Sequence, residues 1–552
     1  MCQETSEKVP SSAKLGMPTP ESGASTVVKR RRRGKREKVA LGTTKIATSA
    51  TPTAKRKSRA VAKHGQDGPS GGIAAIIPSA IGLAVLGFGL MAKMGFRGRA
   101  TVAGIDLGTT NSVICVQAPA KGVGTIDCIP DPATGSPIVP SVVSFLDVAE
   151  RPVGPSSKTP SLLHPHPSAV VVGQPAKRRI DSHPHQTLYN AKRVLGRMAD
   201  DAAVKALAQE VEFSVTASEE DGGATFHVGH HVANPISPVQ VGGYVVHHLM
   251  QITQAFLGHD NVKSAVICVP AKFDAWQRQK TAEAFKLAGI SVARIVEEPT
   301  AAALAYGLHR KAGVDYILVY DFGGGTLDLS LLHVSDGFVD VMGSDGDELL
   351  GGADFDAAVA HHLQKQGQPA IDRVAAVLGT LEEAWGDELE ERLVKACPQI
   401  DESPLCTASS FHTVGEQLKI AMSNITDTEN GTVEAECYDV PTSFLSENAD
   451  LPPTDLLSRF CSNLQPYKLE LVASDYNRII QPLLDRSILP LTRLLDDLDL
   501  TQSDIQEIVM VGGTSRMPQI RALVHNALPE ASLNTHIDPD ITVAYGAASV
   551  ID

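Results

Sequence analysis

The sequence predicts an α/β protein of two or more lobes, preceded by a disordered basic tail and one transmembrane helix. Three observations carry this. From Val102 onward, short apolar runs alternate with helix-like stretches. A β-turn-β unit built on Asp-x-Gly occurs twice, at Asp106 and at Asp321. Ahead of both lies an uncharged run of 22 residues, Gly71 to Ala92, behind a segment rich in lysine and arginine.

The tail comes first. The chain's 552 residues carry a formal net charge of −14, but the charge is divided: residues 1–70 sum to +11 and the remainder to −25. Residues 1–70 are rich in Ser, Thr, Ala, Lys and Arg and poor in large apolar side chains, which predicts disorder. KRRRRGKREK (29–38) and KRKSR (55–59) read either as an import or polyanion patch or as the cytosolic flank of a membrane span. The apolar run that follows favours the flank. An acidic body of this size is a poor nucleic-acid ligand, because phosphate contacts supply most of that affinity.

Gly71 to Ala92 would extend about 33 Å as a helix, enough for a bilayer core. It is too long for a signal-peptide core and lacks the polar face of a buried helix. The upstream basic mass places the N-terminus in the cytosol and the body in a lumen. Two sequons, Asn424-Ile-Thr426 and Asn430-Gly-Thr432, are compatible with that side. The expected site is the endoplasmic reticulum membrane, single-pass, with another organelle membrane as the alternative.

The body follows as SAVICVP (264–270), a helix over 277–289, ARIVEEP (293–299), a helix over 300–310, and later IQEIVMVGG (505–513) and a helix over 515–528. Asp439 to Gln465, with its Pro, Ser and Asp, reads as a loop insertion. The eight cysteines contain no CxxC, so a zinc site is not expected. Cys115 and Cys268 read as small buried hydrophobes, and Cys397 and Cys406 as a pair in an oxidising compartment. The adjacent histidines 230/231, 247/248 and 361/362 point to different faces and read as solvated, not as metal ligands.

The chemistry concentrates in glycine turns. In GIDLGTTNSVICV (104–116) and YDFGGGTLDLS (320–330) a strand reaches an acid, turns on glycine and Thr, and returns as a strand. Glycine lets successive N–H groups converge on an anion. Thr109, Thr110 and Thr326 add hydroxyl donors. An Asp beside such a nest would repel phosphate unless a cation intervened, and Mg2+ suits that role. IVMVGGTSRMP (508–518) adds a strand, Gly512-Gly513 and a helix start, and LLGGADFD (349–356) a further diglycine. No GxxxxGK[ST] run is present, which excludes a Walker-type site.

These segments, with NAKRVLGR (190–197), VICVPAKF (266–273), VEEPTAAALAYGL (296–308) and DPDITVAYGAA (538–548), occur in the order found in the ATPase domain of the heat-shock-protein-70 family, which residues 102–552 resemble. The resemblance implies an actin-like ATPase fold: two lobes, each on a ribonuclease-H-like sheet, with ATP in the cleft. Lobe I would span 102–310, lobe II 311–537, and a helix over 538–552 would return to lobe I. It implies phosphate contacts from Gly108, Thr109, Thr110, Asn111, Gly323, Gly324, Gly325 and Thr326, and nucleotide binding by Gly351 and Gly352. Asp106, Glu298 and Asp321 would orient waters on Mg2+, with K+ as a further candidate ion. Lys192 would reach the γ-phosphate and the attacking water. Glu416, Lys419 and Ser423, in GEQLKIAMS, would line the adenosine pocket with Gly512, Gly513, Thr514, Arg516 and Asp540.

The sequence departs from the family pattern at Glu297 (usually Asn), Asn111 (usually Tyr), Ile420 (usually an adenine-stacking Arg) and Ala353 (usually an acid). The sequence also ends shortly after AYGAA, before the family's linker and peptide-binding domain, so no intrinsic peptide domain is expected. An apolar N-terminal segment before an ATPase core is the arrangement of the family's truncated, microsomal form. The leading expectation is a membrane-anchored, slow ATPase acting in protein folding through J-domain co-chaperones and nucleotide-exchange factors. The alternatives are a nucleotide-gated interaction module with little turnover and a small-molecule kinase of the actin superfamily.

Overall fold

In the computed structural model, which describes residues 101–551 apart from 119–124, 147–161, 181–182, 229–231, 233, 402 and 426–430, each Asp-x-Gly segment forms an antiparallel hairpin. The first joins Val102–Leu107 (β1) to Asn111–Gln117 (β2), with Asp106 opposite Val113. Beyond β2 lies Ile126–Cys128 (β3). On its other side β1 pairs in parallel with Ser264–Val269 (β4), which pairs in parallel with Ser291–Glu297 (β5). The sheet order is therefore β5-β4-β1-β2-β3.

The second sheet repeats the plan. Tyr316–Phe322 (β6) pairs antiparallel with Leu327–Ser335 (β7), which pairs with Phe338–Asp347 (β8). On the far side β6 runs parallel to Glu507–Val511 (β9), followed by Ser532–Asn534 (β10). All five residues of β9 are buried, as expected of a strand covered on both faces.

Helices cover these sheets. Pro238–Leu257 (α1) and Ala275–Leu287 (α2) begin with capping boxes, Ser237 with Gln240 and Asp274 with Gln277, which satisfy orphan N–H groups at the first turn. Glu298–Ala305 (α3) starts where β5 ends and carries Pro299 in its first turn, a position that needs no N–H donor. In the second half come Gly352–Trp385 (α4), Ser410–Ser423 (α5), Pro518–Ala527 (α6) and Thr542–Ser549 (α7). One buried cluster joins the halves: Val266 and Cys268 of β4, Ala301 to Ala303 of α3, Ile317 and Val319 of β6, Val509 and Val511 of β9, and Val543 and Ala547 of α7. With members from both sheets, this cluster forms a floor shared by the two halves.

Several expectations are corrected. Residues 439–465 are not a loop: they hold helices Phe444–Asn448 and Pro453–Ser462, because Phe444, Leu456, Leu457 and Phe460 find buried positions. Cys397 does not pair with Cys406. The disulfides are Cys115–Cys128, Cys397–Cys461 and Cys406–Cys437, and Cys268 is the buried free thiol among the described residues. Cys115 is thus a cross-strand bridge to β3. His248 is not solvated: it faces the buried Asp131 at 3.9 Å, and burial pushes the imidazoles of both His247 and His248 below their ordinary pKa. The tail over 1–70, the run 71–92, His230, His231, Thr426 and Asn430 lie outside the described residues. Among the described residues no helix is long and apolar enough to cross a membrane.

Candidate functional site

Four charged groups from four segments meet above the shared floor. Asp106 comes from the end of β1, Asp321 from the end of β6 and Glu298 from the first position of α3. Lys192 comes from the short 3-10 turn Ala191–Val194. The Lys192 ammonium donates to Glu298 Oε1 at 2.6 Å, with both side chains largely buried. Burial would lower the pKa of Lys192, but Glu298, Asp106 and Asp321 hold it up to about 12.

The acids outnumber their cation. Burial, with Glu298 and Asp540 adding to it against Lys192, pushes Asp106 up to about 7. Burial and the charges of Glu298, Asp328 and Asp106 hold Asp321 well above the usual carboxylate range. Asp328, opposite Asp321 across β6 and β7, is pushed up to about 6, chiefly by burial and against Lys272. Asp106 Oδ1 is shielded and has no hydrogen-bond partner. Crowded carboxylates with an orphaned oxygen fit a site that takes up a cation. Among the described residues no three His, Cys, Asp or Glu side chains converge for direct ligation.

The two glycine turns touch. A Cβ at Gly324 would lie 2.7 Å from Thr110 Oγ1, and one at Gly325 would lie 2.6 Å from Arg193 Nη2. A side chain at either position would have to displace Thr110 or Arg193 of the other half, whereas a Cβ at Gly323 would make only ordinary contact with the Thr326 carbonyl at 3.8 Å. The demand for glycine at 324 and 325 thus comes from the approach of the other half. The carbonyl of Gly323 accepts from Thr514 Oγ1 at 2.8 Å and from the Gly352 amide at 3.0 Å, and the Ala353 amide donates to the Gly324 carbonyl at 2.8 Å. In the first turn, Ser141 Oγ donates to the Gly108 carbonyl at 2.8 Å, and the Ser141 amide donates to the Thr110 carbonyl at 2.8 Å. Both turns have carbonyls tied down, which removes acceptors that would repel an anion.

The other expected residues lie on further elements. Glu416, Lys419 and Ser423 share one face of α5 at helical spacing. Lys419 pairs with Asp356 at 2.7 Å and donates to the Gly352 carbonyl at 3.3 Å, and Ser423 Oγ donates to the Lys419 carbonyl at 3.1 Å. Glu416 pairs with Lys177 of the first half at 3.2 Å. A Cβ at Gly352 would meet Thr514 Oγ1 at 2.6 Å, which places Gly352 against the Gly512–Arg516 turn, whereas one at Gly351 would meet the Gly324 carbonyl and the Gly325 backbone at 2.4 Å. Gly512 itself has φ +79°, a conformation that favours glycine. Arg516 donates to Asp540 at 2.8 Å and also pairs with Asp538, and Asp540 lies beside Gly513. Thr326 accepts the Gly323 amide on its carbonyl at 3.0 Å, while Thr109 and Asn111 stand on the rim of the first turn, partly exposed.

The departures also acquire positions. Glu297 adds no unpaired charge, because Arg278 holds it at 2.7 Å. Ala353 acts through its backbone amide. Ile420 is 53% exposed on α5. Ser141, Arg193 and Lys177 are the residues that sequence reasoning missed. Arg193 adjoins Lys192 in NAKR, the one signal that pointed to any of them. Two cavities lie away from the cleft, about 220 Å3 beside Tyr244 and His248 and about 490 Å3 beside Leu491 and Leu500.

A comparison with family models finds Hsp70 protein over residues 155–374 and 445–551, more than half the chain. The matched stretches contain Lys192, Glu298, Asp321, both second-half diglycines and Asp540. Asp106 to Asn111 and the α5 face lie outside them.

Proposed function

Since the chain belongs to the Hsp70 family, whose members bind ATP or ADP with Mg2+, hydrolyse ATP and work with J-domain co-chaperones and nucleotide-exchange factors, we propose that it is a slow ATPase serving protein folding or quality control through such partners. The observation that carries this reading is the Lys192–Glu298–Asp106–Asp321 cluster beneath two touching glycine turns. In this reading the fold is actin-like, the two sheet-centred halves being its lobes. Asp106, Glu298 and Asp321 hold Mg2+ through its waters, and Lys192 faces the γ-phosphate and orients the attacking water. The bound ion would supply charge neutralisation on the phosphates. Phosphoryl transfer needs positioning and charge compensation more than covalent chemistry, and these residues offer both. The α5 face and the Gly512–Arg516 turn, with Asp540, receive adenosine.

We place the protein in the endoplasmic reticulum membrane, anchored by 71–92 with the ATPase body lumenal, as in the truncated microsomal form of the family. The three disulfides support an oxidising compartment. Another organelle membrane is the alternative. A second reading, a nucleotide-gated module with little turnover, is favoured by exposed Ile420 at the position where the family stacks an Arg on adenine. Single-turnover hydrolysis of ATP by the full chain, with Lys192→Ala as control, separates the two. Release of phosphate that depends on Lys192 supports the ATPase, and tight binding without release supports the module.

A further inference from the structure

Of the three carbonyls in the second glycine turn, those of Gly323 and Gly324 are held by donors of their own half, Thr514, Gly352 and Ala353. The third is held from across the cleft. Arg193 Nη2 donates to the Gly325 carbonyl at 2.6 Å, while its Nη1 donates to Glu210 Oε2 at 2.9 Å, at the end of helix Ala202–Glu210. The guanidinium lies flat on the turn: a Cβ at Gly325 would stand 2.6 Å from Nη2 and 3.3 Å from both Cζ and Nε. The Arg193 side chain is 15% exposed, and its shielded Nε has no partner, so the two Nη groups alone hold it in place.

We propose that Arg193 is a positioning residue that straps the Gly323–Gly325 turn to the first half, so that retention of the terminal phosphates depends on it. The proposal rests on the nucleotide reading above and adds a residue to it. Geometry favours a strap over simple attraction of an anion. Glu210 offsets part of the charge, and the planar fork spans two partners on opposite sides, which a single ammonium cannot do. The same 3-10 turn, Ala191–Val194, delivers Lys192 to the carboxylate cluster and Arg193 to the glycine turn. Closure of the turn is thereby tied to the placement of Lys192.

The test is release of a fluorescent ATP analogue with Mg2+ from the full chain, followed by stopped flow, together with ligand-free melting. Arg193→Ala should release the analogue about tenfold faster, the scale of one lost charge-assisted hydrogen bond. Arg193→Lys should release it equally fast. Gly325→Ala, which displaces the guanidinium with Arg193 intact, should match Arg193→Ala, and the double variant should add nothing. The ligand-free melting temperature should stay at the wild-type value. The strap is overturned if wild type binds the analogue and Arg193→Ala or Arg193→Lys releases it as slowly. It is also overturned if faster release follows only from a lowered melting temperature. A wild-type chain that binds no analogue at all would instead remove the nucleotide reading, and the strap with it.

Discussion

The Lys192 ammonium sits 2.6 Å from the Glu298 carboxylate and is the cation that Asp106 and Asp321 share. Removing it leaves three partly buried acids facing one another. Breaking one side of a buried pair typically costs about 3–5 kcal/mol. Lys192→Ala should therefore lower ligand-free stability in urea titrations at pH 8, where the acids are most ionised. Single-turnover ATP hydrolysis should fall by at least about 100-fold, the effect of losing one preorganised electrostatic group. Hydrolysis at the wild-type rate in this variant would remove Lys192 from the chemistry.

Asp106 gives the site a pH signature. Its carboxyl is raised from 3.8 to about 7 in the folded chain, and that of Asp328 to about 6. A raised carboxyl binds its proton more tightly when folded. Its stabilising contribution is thus fully present below the unfolded value and is lost as pH rises through the folded one. The comparison to make is wild type against Asp106→Asn, whose amide resembles the protonated acid. The two should melt alike near pH 4, and the variant should be the more stable by pH 8, by no more than about 4 kcal/mol. A variant that is less stable than wild type at pH 8 would show that Lys192 compensates Asp106 fully.

What was legible in the sequence was local. Both Asp-x-Gly hairpins could be read because the strand–turn–strand pattern lies within about 20 residues and consists of short apolar runs broken by glycine. What was not legible depends on contacts between distant segments. Cys115 meets Cys128 because β2 and β3 pair in that register, and a three-residue strand carries little signal of its own. The Pro-rich stretch 439–465 looked like a loop because turn residues outnumber the four apolar ones that anchor its helices. Ser141 is one serine among several in a short apolar segment, and only the fold brings it to Gly108. Lys192 lies on a single 3-10 turn without periodicity, so only the family resemblance pointed to it.

Thiol chemistry provides an independent check of the cysteine pairing. Cys397–Cys461 spans 64 residues and Cys406–Cys437 spans 31, so each closes a long loop. In the chain-entropy view such closures stabilise by roughly 3–4.5 kcal/mol. Alkylation in denaturant without reductant, followed by peptide mass spectrometry, should label Cys268 and spare Cys115, Cys128, Cys397, Cys406, Cys437 and Cys461. Cys461→Ser should then lower the melting temperature, whereas Cys268→Ser, which breaks no cross-link and keeps a donor for the Val543 carbonyl, should lower it less. Labelling of Cys397 or Cys461 in protein from an oxidising compartment would contradict the pairing.

Ile420 lies on α5 between Lys419 and Ser423, close enough to the proposed adenosine face to set nucleotide affinity, and its side chain is largely in water. An aliphatic group there offers adenine a weak contact and no charge. Ile420→Arg would place a planar cation within reach of the base, and such cation–π contacts contribute about 0.5–2 kcal/mol. The exchange exposes no new apolar surface and disturbs no buried neighbour, so melting of the ligand-free chain should not move. Calorimetric titration with ATP and Mg2+ should show tighter binding by about twofold to thirtyfold, with a smaller gain for triphosphate lacking the base. Equal gains for both ligands would indicate general attraction of the phosphates, and no gain would place adenine elsewhere than beside α5.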